Sequence, residues 1–131
     1  MTRRNALLFA AASLTLLATR ASAHHSFVAA FDSKAPVTLT GIVTRVEWAN
    51  PHVLFSITAE DSSGTAVTWR FELGAPNILL QRGWARTSLR PGETVTVDGF
   101  RARDGSHYAT VVSVELANGR KLFPHAAQTP N

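Results

Sequence analysis

The stretch VTLTGIVTRVEW, residues 37–48, decides the fold. Val37 and Leu39 lie on one face of an extended strand. The apolar residues after Gly41 lie on the opposite face: Ile42, Val46 and Trp48. The alternation changes phase at Gly41, as it does where a strand contains a bulge or a sharp coil. A strand that turns its apolar face midway can serve two sheets, which the corners of a β-barrel require.

The following segments predict further strands. Residues 53–59 and 67–73 alternate in the period of two that is typical of half-buried strands. Asp61-Ser62-Ser63-Gly64 between them favours a hairpin turn. Turn residues also precede two later strands and a last short hairpin, which we expect at residues 94–99, 110–116 and 118–123.

A short helix is expected at Pro76 to Arg82, between the third and fourth strands. Pro76 suits an early helical position, residues 78–80 supply an apolar stripe, and Gly83 suits the end. Five main strands, a coiled first strand and this helix predict an all-β fold, a small OB-fold-like β-barrel. A seven-stranded sandwich would need more strands than the sequence contains.

The amino-terminal residues 1–23 have the pattern of a signal peptide. Arg3 and Arg4 precede an apolar stretch from Ala6 to Ala18, and Ala21-Ser22-Ala23 offers small residues to signal peptidase. The apolar stretch is short for a bilayer, so we expect cleavage after Ala23 and no membrane span in the mature chain. The predicted product is a single domain, residues 24–131, in the periplasm or secreted. Export by the general secretory route and by the twin-arginine route both remain open.

Cleavage changes the charge of the protein. The whole chain has 13 Lys and Arg against 9 Asp and Glu, a net charge of +4. Removal of Arg3, Arg4 and Arg20 leaves 13 − 3 = 10 basic residues and nine acids, about +1. A nearly neutral chain disfavours nucleic acid as a partner. The absence of cysteine excludes disulfides, thiolate zinc sites and a cysteine nucleophile.

The sequence resembles a family of small exported bacterial domains of unknown function. The resemblance extends over essentially all of the mature chain and is carried by these motifs: His24-His25-Ser26-Phe27, Phe31-Asp32, residues 41–48, Asn50-Pro51-His52, Phe71-Glu72-Leu73-Gly74, Pro76-Asn77, Arg82-Gly83-Trp84, residues 89–92 and residues 118–122. It implies a periplasmic or secreted β-rich domain and supplies no established activity. A looser resemblance, through strand order, is to exported bacterial OB-fold modules.

The predicted cut would make His24 the first residue. An amino-terminal histidine presents a metal with its α-amine and its ring nitrogen together, a chelate that copper favours over zinc. His25 is adjacent, His52 lies in the turn before the second strand, and His107 precedes the last main strand. We therefore predict a transition-metal site at His24, His25, His52 and His107, with Asp32 or Glu47 orienting a ring. In the alternative, these are exposed histidines at a loose terminus and in turns.

A second candidate site surrounds the helix. Arg82, Trp84 and Arg86 could form a platform for an anion or a stacked base, because OB folds bind such ligands. In the alternative, Trp84 fills one end of the barrel and the arginines pair with Glu72, Glu93 or water.

No catalytic motif accompanies these residues. Ser26 beside His25 lacks a nucleophile elbow, and no phosphate loop or metalloprotease motif is present. We therefore expect a non-enzymatic exported module that binds copper or another transition metal. The alternatives are a metal-independent accessory domain that docks on an exported partner protein and, third, an oxidative copper enzyme.

Overall fold

A computed structural model describes residues 29–125. The strands are β1 (Phe31–Glu47), β2 (Leu54–Glu60), β3 (Ala66–Glu72), β4 (Thr94–Ala102), β5 (Tyr108–Leu116) and β6 (Lys121–Leu122), and helix α1 (Pro76–Gln81) lies between β3 and β4. The sheet order is β3-β2-β1-β4-β5-β6, and β3 also pairs with β5. This additional pairing closes β1, β2, β3, β5 and β4 into a ring. The predicted small barrel of five main strands with one short helix after the third is confirmed.

The long strand β1 serves two neighbours, as its sequence predicts. Its first part pairs with β4 as far as Ile42, and its last part pairs with β2 from Ile42 onward. The change of partner falls beside Gly41, where an added Cβ would overlap the carbonyl oxygen of Thr58. Glycine is therefore required at this position because two backbones approach closely.

The position of the bulge differs from the prediction. The register between β1 and β2 shifts between Val43 and Arg45, two residues beyond Gly41. Inward alternation consequently continues to Val43, which is 1% exposed, while Ile42 is 51% exposed. The prediction that Ile42 shares a face with Val46 and Trp48 is thus wrong. Val46 and Trp48, beyond the bulge, pack against the core as expected.

The core fills the interior of the ring. Inward side chains of β2 and β3 include Phe55 and Phe71, whose rings stack with centroids 5.2 Å apart. Leu79 of α1 is fully buried and covers one part of this core. The helix ends at Gln81, and Gly83, just after its cap residue Arg82, has a φ of 83° that suits glycine, as the sequence predicts.

Substitution of Gly41 by alanine should destabilise the barrel by about 1–3 kcal/mol, since a methyl group there must displace a β2 carbonyl. Urea unfolding followed by tryptophan fluorescence measures the loss. Gly74→Ala is the matched control, because a Cβ at Gly74 meets only a Leu79 methyl group at 3.9 Å. Equal free energies of unfolding for the two variants would contradict the close-approach interpretation.

Candidate functional site

Of the predicted metal ligands that the structure describes, His52 is the one that contacts a carboxylate. It follows the cis Asn50–Pro51 peptide and precedes β2. Its side chain is 50% exposed, and its Nδ1 lies 2.8 Å from Oε1 of Glu72. The ring therefore has one nitrogen fixed by a carboxylate and one face open to solvent.

Glu72, at the end of β3, also accepts a hydrogen bond from the phenol of Tyr108 through its other oxygen, Oε2. The parallel pairing of β3 with β5 brings these residues together, with Arg70 opposite Tyr108 and Glu72 opposite Thr110. Burial raises the pKa of Tyr108 well above its usual value, and the hydrogen bond to Glu72 and the charge of that carboxylate raise it further. The phenol thus stays protonated at neutral pH and holds the carboxylate in place.

This arrangement determines which nitrogen of His52 is available. A neutral imidazole carries one N–H donor and one acceptor nitrogen. Because a carboxylate only accepts, the proton resides on Nδ1 and the lone pair on Nε2. A histidine whose N–H is held by a carboxylate is the usual arrangement of a metal ligand in proteins, since it fixes the ring and increases its basicity. Tyr108, Glu72 and His52 thus form a relay of hydrogen bonds, named here the His52 relay, that ends at Nε2 of a half-exposed ring.

The predicted orienting carboxylates have other partners. Glu47 lies 2.7 Å from Arg45 and 3.2 Å from Arg70. Asp32 accepts a hydrogen bond from the backbone of Lys34 and lies 4.0 Å from Arg103. Glu72 therefore orients His52, where the sequence had suggested Asp32 or Glu47.

His107 has a different environment. Its ring is tilted at 43° against Trp69, with centroids 4.9 Å apart, and Arg101 also packs on Trp69 at 5.1 Å. The backbone carbonyl of His107 accepts a hydrogen bond from the backbone N–H of Arg70. His107 thus contacts an aromatic ring, while His52 contacts a carboxylate.

His24 and His25 lie outside the described residues, as does the predicted signal peptide. Within residues 29–125, no group of three or more histidine or acidic side chains is arranged to hold a metal ion.

The residues of the predicted anion platform have different surroundings in the structure. Trp84 is 2% exposed, and its Nε1 donates to the carbonyl of Phe123 at 3.1 Å, so its ring is not presented to a ligand. This burial is what the barrel-filling alternative expects. Arg86 packs over Trp48, with 5.9 Å between the guanidinium carbon and the ring centre. Arg82 instead lines a groove beside β6.

Sequence reasoning missed Glu72 and Tyr108 as members of the site. Glu72 could have been predicted, because the hairpin pairs Glu72 with Leu54, and Leu54 is only two residues after His52. Tyr108 was not, because its position depends on the parallel pairing of β3 with β5, which no local pattern reveals.

Comparison with known proteins identifies a family whose function is unknown. Residues 11–111 match the model of a family whose description is "Family of unknown function (DUF6152)". The suspected resemblance to a family of unknown function is thereby confirmed. No curated protein matches the chain. Among the described residues, no helix has the length and apolar character needed to cross a membrane.

Removal of the Glu72 charge should lower the pKa of Tyr108, because a nearby carboxylate disfavours the tyrosinate. Tyr108 is the only tyrosine in the sequence, so an absorbance titration in the near ultraviolet reports it alone. We expect Tyr108 to titrate well above about 10 in the wild type. In Glu72→Gln the pKa should fall but stay raised by burial.

Glu47→Gln removes the same charge from a residue that bonds Arg45 and Arg70, and should leave the titration of Tyr108 nearly unchanged. An ordinary tyrosine pKa in the wild type, or equal shifts in the two variants, would show that the relay does not form.

Proposed function

We propose that this chain, which belongs to DUF6152, a family of unknown function, is an exported module that binds a transition metal ion, copper before zinc. Because the family supplies no activity, the function is inferred from the chain's own residues. His52 supplies one ligand through Nε2. His24, as the first residue of the mature chain, supplies its α-amine and ring nitrogen, and His25 is available as a further donor.

The contact between His52 and Glu72 carries this proposal. At 2.8 Å it is a charge-assisted hydrogen bond that directs Nε2 away from the carboxylate. Three nitrogen donors, two from His24 and one from His52, suit Cu(II), which prefers nitrogen and oxygen ligands in tetragonal geometry. His107 is left out of this donor set because its ring packs on Trp69.

The start of β1 packs against a member of the His52 relay. The ring of Phe31 is 5.5 Å from that of Tyr108, whose hydroxyl belongs to the relay. Phe31 is 4% exposed and so fixes the point at which the chain enters the barrel. The seven residues that precede Phe31, from His24 to Ala30, can span at most about 25 Å when extended. We propose that this connection lets His24 contribute its ligands.

The location of His52 also suits a binding module. We assign the barrel to the OB-fold type, since its ring runs β1-β2-β3-β5-β4 with the helix between β3 and β4. Barrels of this type bind ligands on the face of the second and third strands and on the loop after the first strand. His52 lies in that loop and Glu72 on the third strand.

A metal-independent accessory domain is the second candidate. Three large apolar side chains of α1 and the segment at β6 are exposed: Ile78 at 40%, Leu80 at 55% and Phe123 at 46%. Ile78 and Phe123 line one groove, and neighbouring exposed apolar side chains of this kind mark protein or ligand contacts. Co-purification of an exported partner whose capture is unaffected by chelators, and is lost in Leu80→Ser, would favour this function over metal binding.

Calorimetric titration of Cu(II) into the exported, processed protein tests the metal site. Mass spectrometry first verifies that the mature chain begins at His24. We expect one equivalent of copper to bind tightly. Affinity should fall by about ten- to a hundredfold in Glu72→Gln, since loss of an orienting carboxylate has effects of that size, and further in His52→Gln. One extra residue before His24 should reduce affinity as well, because it removes the terminal chelate.

His107→Gln provides the control, since it removes a histidine that contacts Trp69 rather than Glu72. Copper affinity in this variant should equal that of the wild type. Equal weak binding by all five proteins would overturn the proposal. Tight binding that ignores His52 but requires His24 would confine the site to the amino terminus.

A further inference from the structure

A groove beside helix α1 contains none of the residues of the proposed metal site. It has a volume of about 580 Å³ and lies between the end of α1 and the segment around β6. Its apolar lining includes Ile78, Leu122 and Phe123, and its polar lining includes Arg82, Lys121 and His125. Small-molecule sites commonly have volumes of about 300–1,000 Å³, and the volume of the groove falls in this range.

One wall of the groove is apolar and open to solvent. Ile78 is 40% exposed and Phe123 46% exposed, while Leu122 beneath them is 6% exposed. The backbone of this wall is fixed, because the indole of Trp84 donates to the carbonyl of Phe123 at 3.1 Å. An alkyl chain laid on these side chains would remove apolar surface from water without a rearrangement of the barrel.

The charged lining of the groove is basic. Arg82, just after the helix, and Lys121, on β6, both line the groove, and none of its lining residues is acidic. Glu115 lies 3.3 Å from Lys121, but both side chains are nearly half exposed, and exposed pairs of this kind contribute about 0–1 kcal/mol. Lys121 can therefore exchange this partner for a ligand anion.

His125 adds a polar contact of another kind. Partial burial lowers its pKa, and the positive charge of Arg82 lowers it further. The ring is therefore neutral at neutral pH, and it can donate a hydrogen bond to an oxygen or accept one from a hydroxyl group.

We propose that this groove binds a single-chain amphipathic anion, with its carboxylate at Arg82 and Lys121 and its alkyl chain on Ile78 and Phe123. An arginine fork matches a carboxylate with two parallel hydrogen bonds, which a neutral headgroup cannot reproduce. The inference is independent of the metal site, since none of its residues belongs to the His52 relay.

Titration of the processed protein with decanoate, below the concentration at which decanoate forms micelles, tests the proposal. We expect saturable one-to-one binding in a calorimeter. Arg82→Gln should weaken it by about tenfold, the effect of losing a hydrogen bond to a charged group. Phe123→Ser should weaken it too and should reduce the difference in affinity between decanoate and octanoate.

Arg86→Gln is the matched control, because it removes an arginine four positions away that packs on Trp48 outside the groove. This variant should bind decanoate as the wild type does. The proposal is overturned if the wild type fails to bind decanoate, if Arg82→Gln and Arg86→Gln weaken binding equally, or if decanol binds as tightly as decanoate. Circular dichroism verifies that each variant is folded.

Discussion

The parallel pairing of β3 with β5 is the constraint on which the rest of the molecule depends. It spans only three residue pairs: Arg70 with Tyr108, Phe71 with Ala109, and Glu72 with Thr110. These pairs turn a sheet with a free edge at β3 into a closed ring, and they seal the core around Phe71. The same pairs bring Tyr108 to Glu72, so barrel closure and orientation of His52 have one structural origin.

The outer face of this ring holds two carboxylates with separate partners. Glu47 lies between Arg45 and Arg70, and Glu72 lies between His52 and Tyr108. Arg70 pairs with Glu47, and the two oxygens of Glu72 contact the ring of His52 and the phenol of Tyr108. That division of partners distinguishes a carboxylate that orients a histidine ring from one in an ordinary surface ion pair, which contributes little to stability.

Local patterns predicted the barrel well because its strands alternate with a period of two and its turns and helix end contain the residues that such positions require. The change of partner in β1 was foreseen at Gly41, but the side of Ile42 was not, since the bulge follows Val43 and its position depends on register with β2. The burial of Trp84 fitted one of two interpretations. Tyr108 reached the site through pairing between distant segments, which residue patterns do not encode. The roles of His24 and His25 stay predictions, because they lie outside residues 29–125.

The nitrogen NMR spectrum of the histidine rings, recorded as Cu(II) is added in less than one equivalent, tests the central claim most directly. In the metal-free protein the account predicts that His52 carries its proton on Nδ1, and that the first copper broadens its Nε2 signal together with those of the amino-terminal residue. His107, packed on Trp69, should remain sharp. A proton on Nε2 of His52, or a His52 signal that copper leaves unchanged while His24 is saturated, would contradict the account.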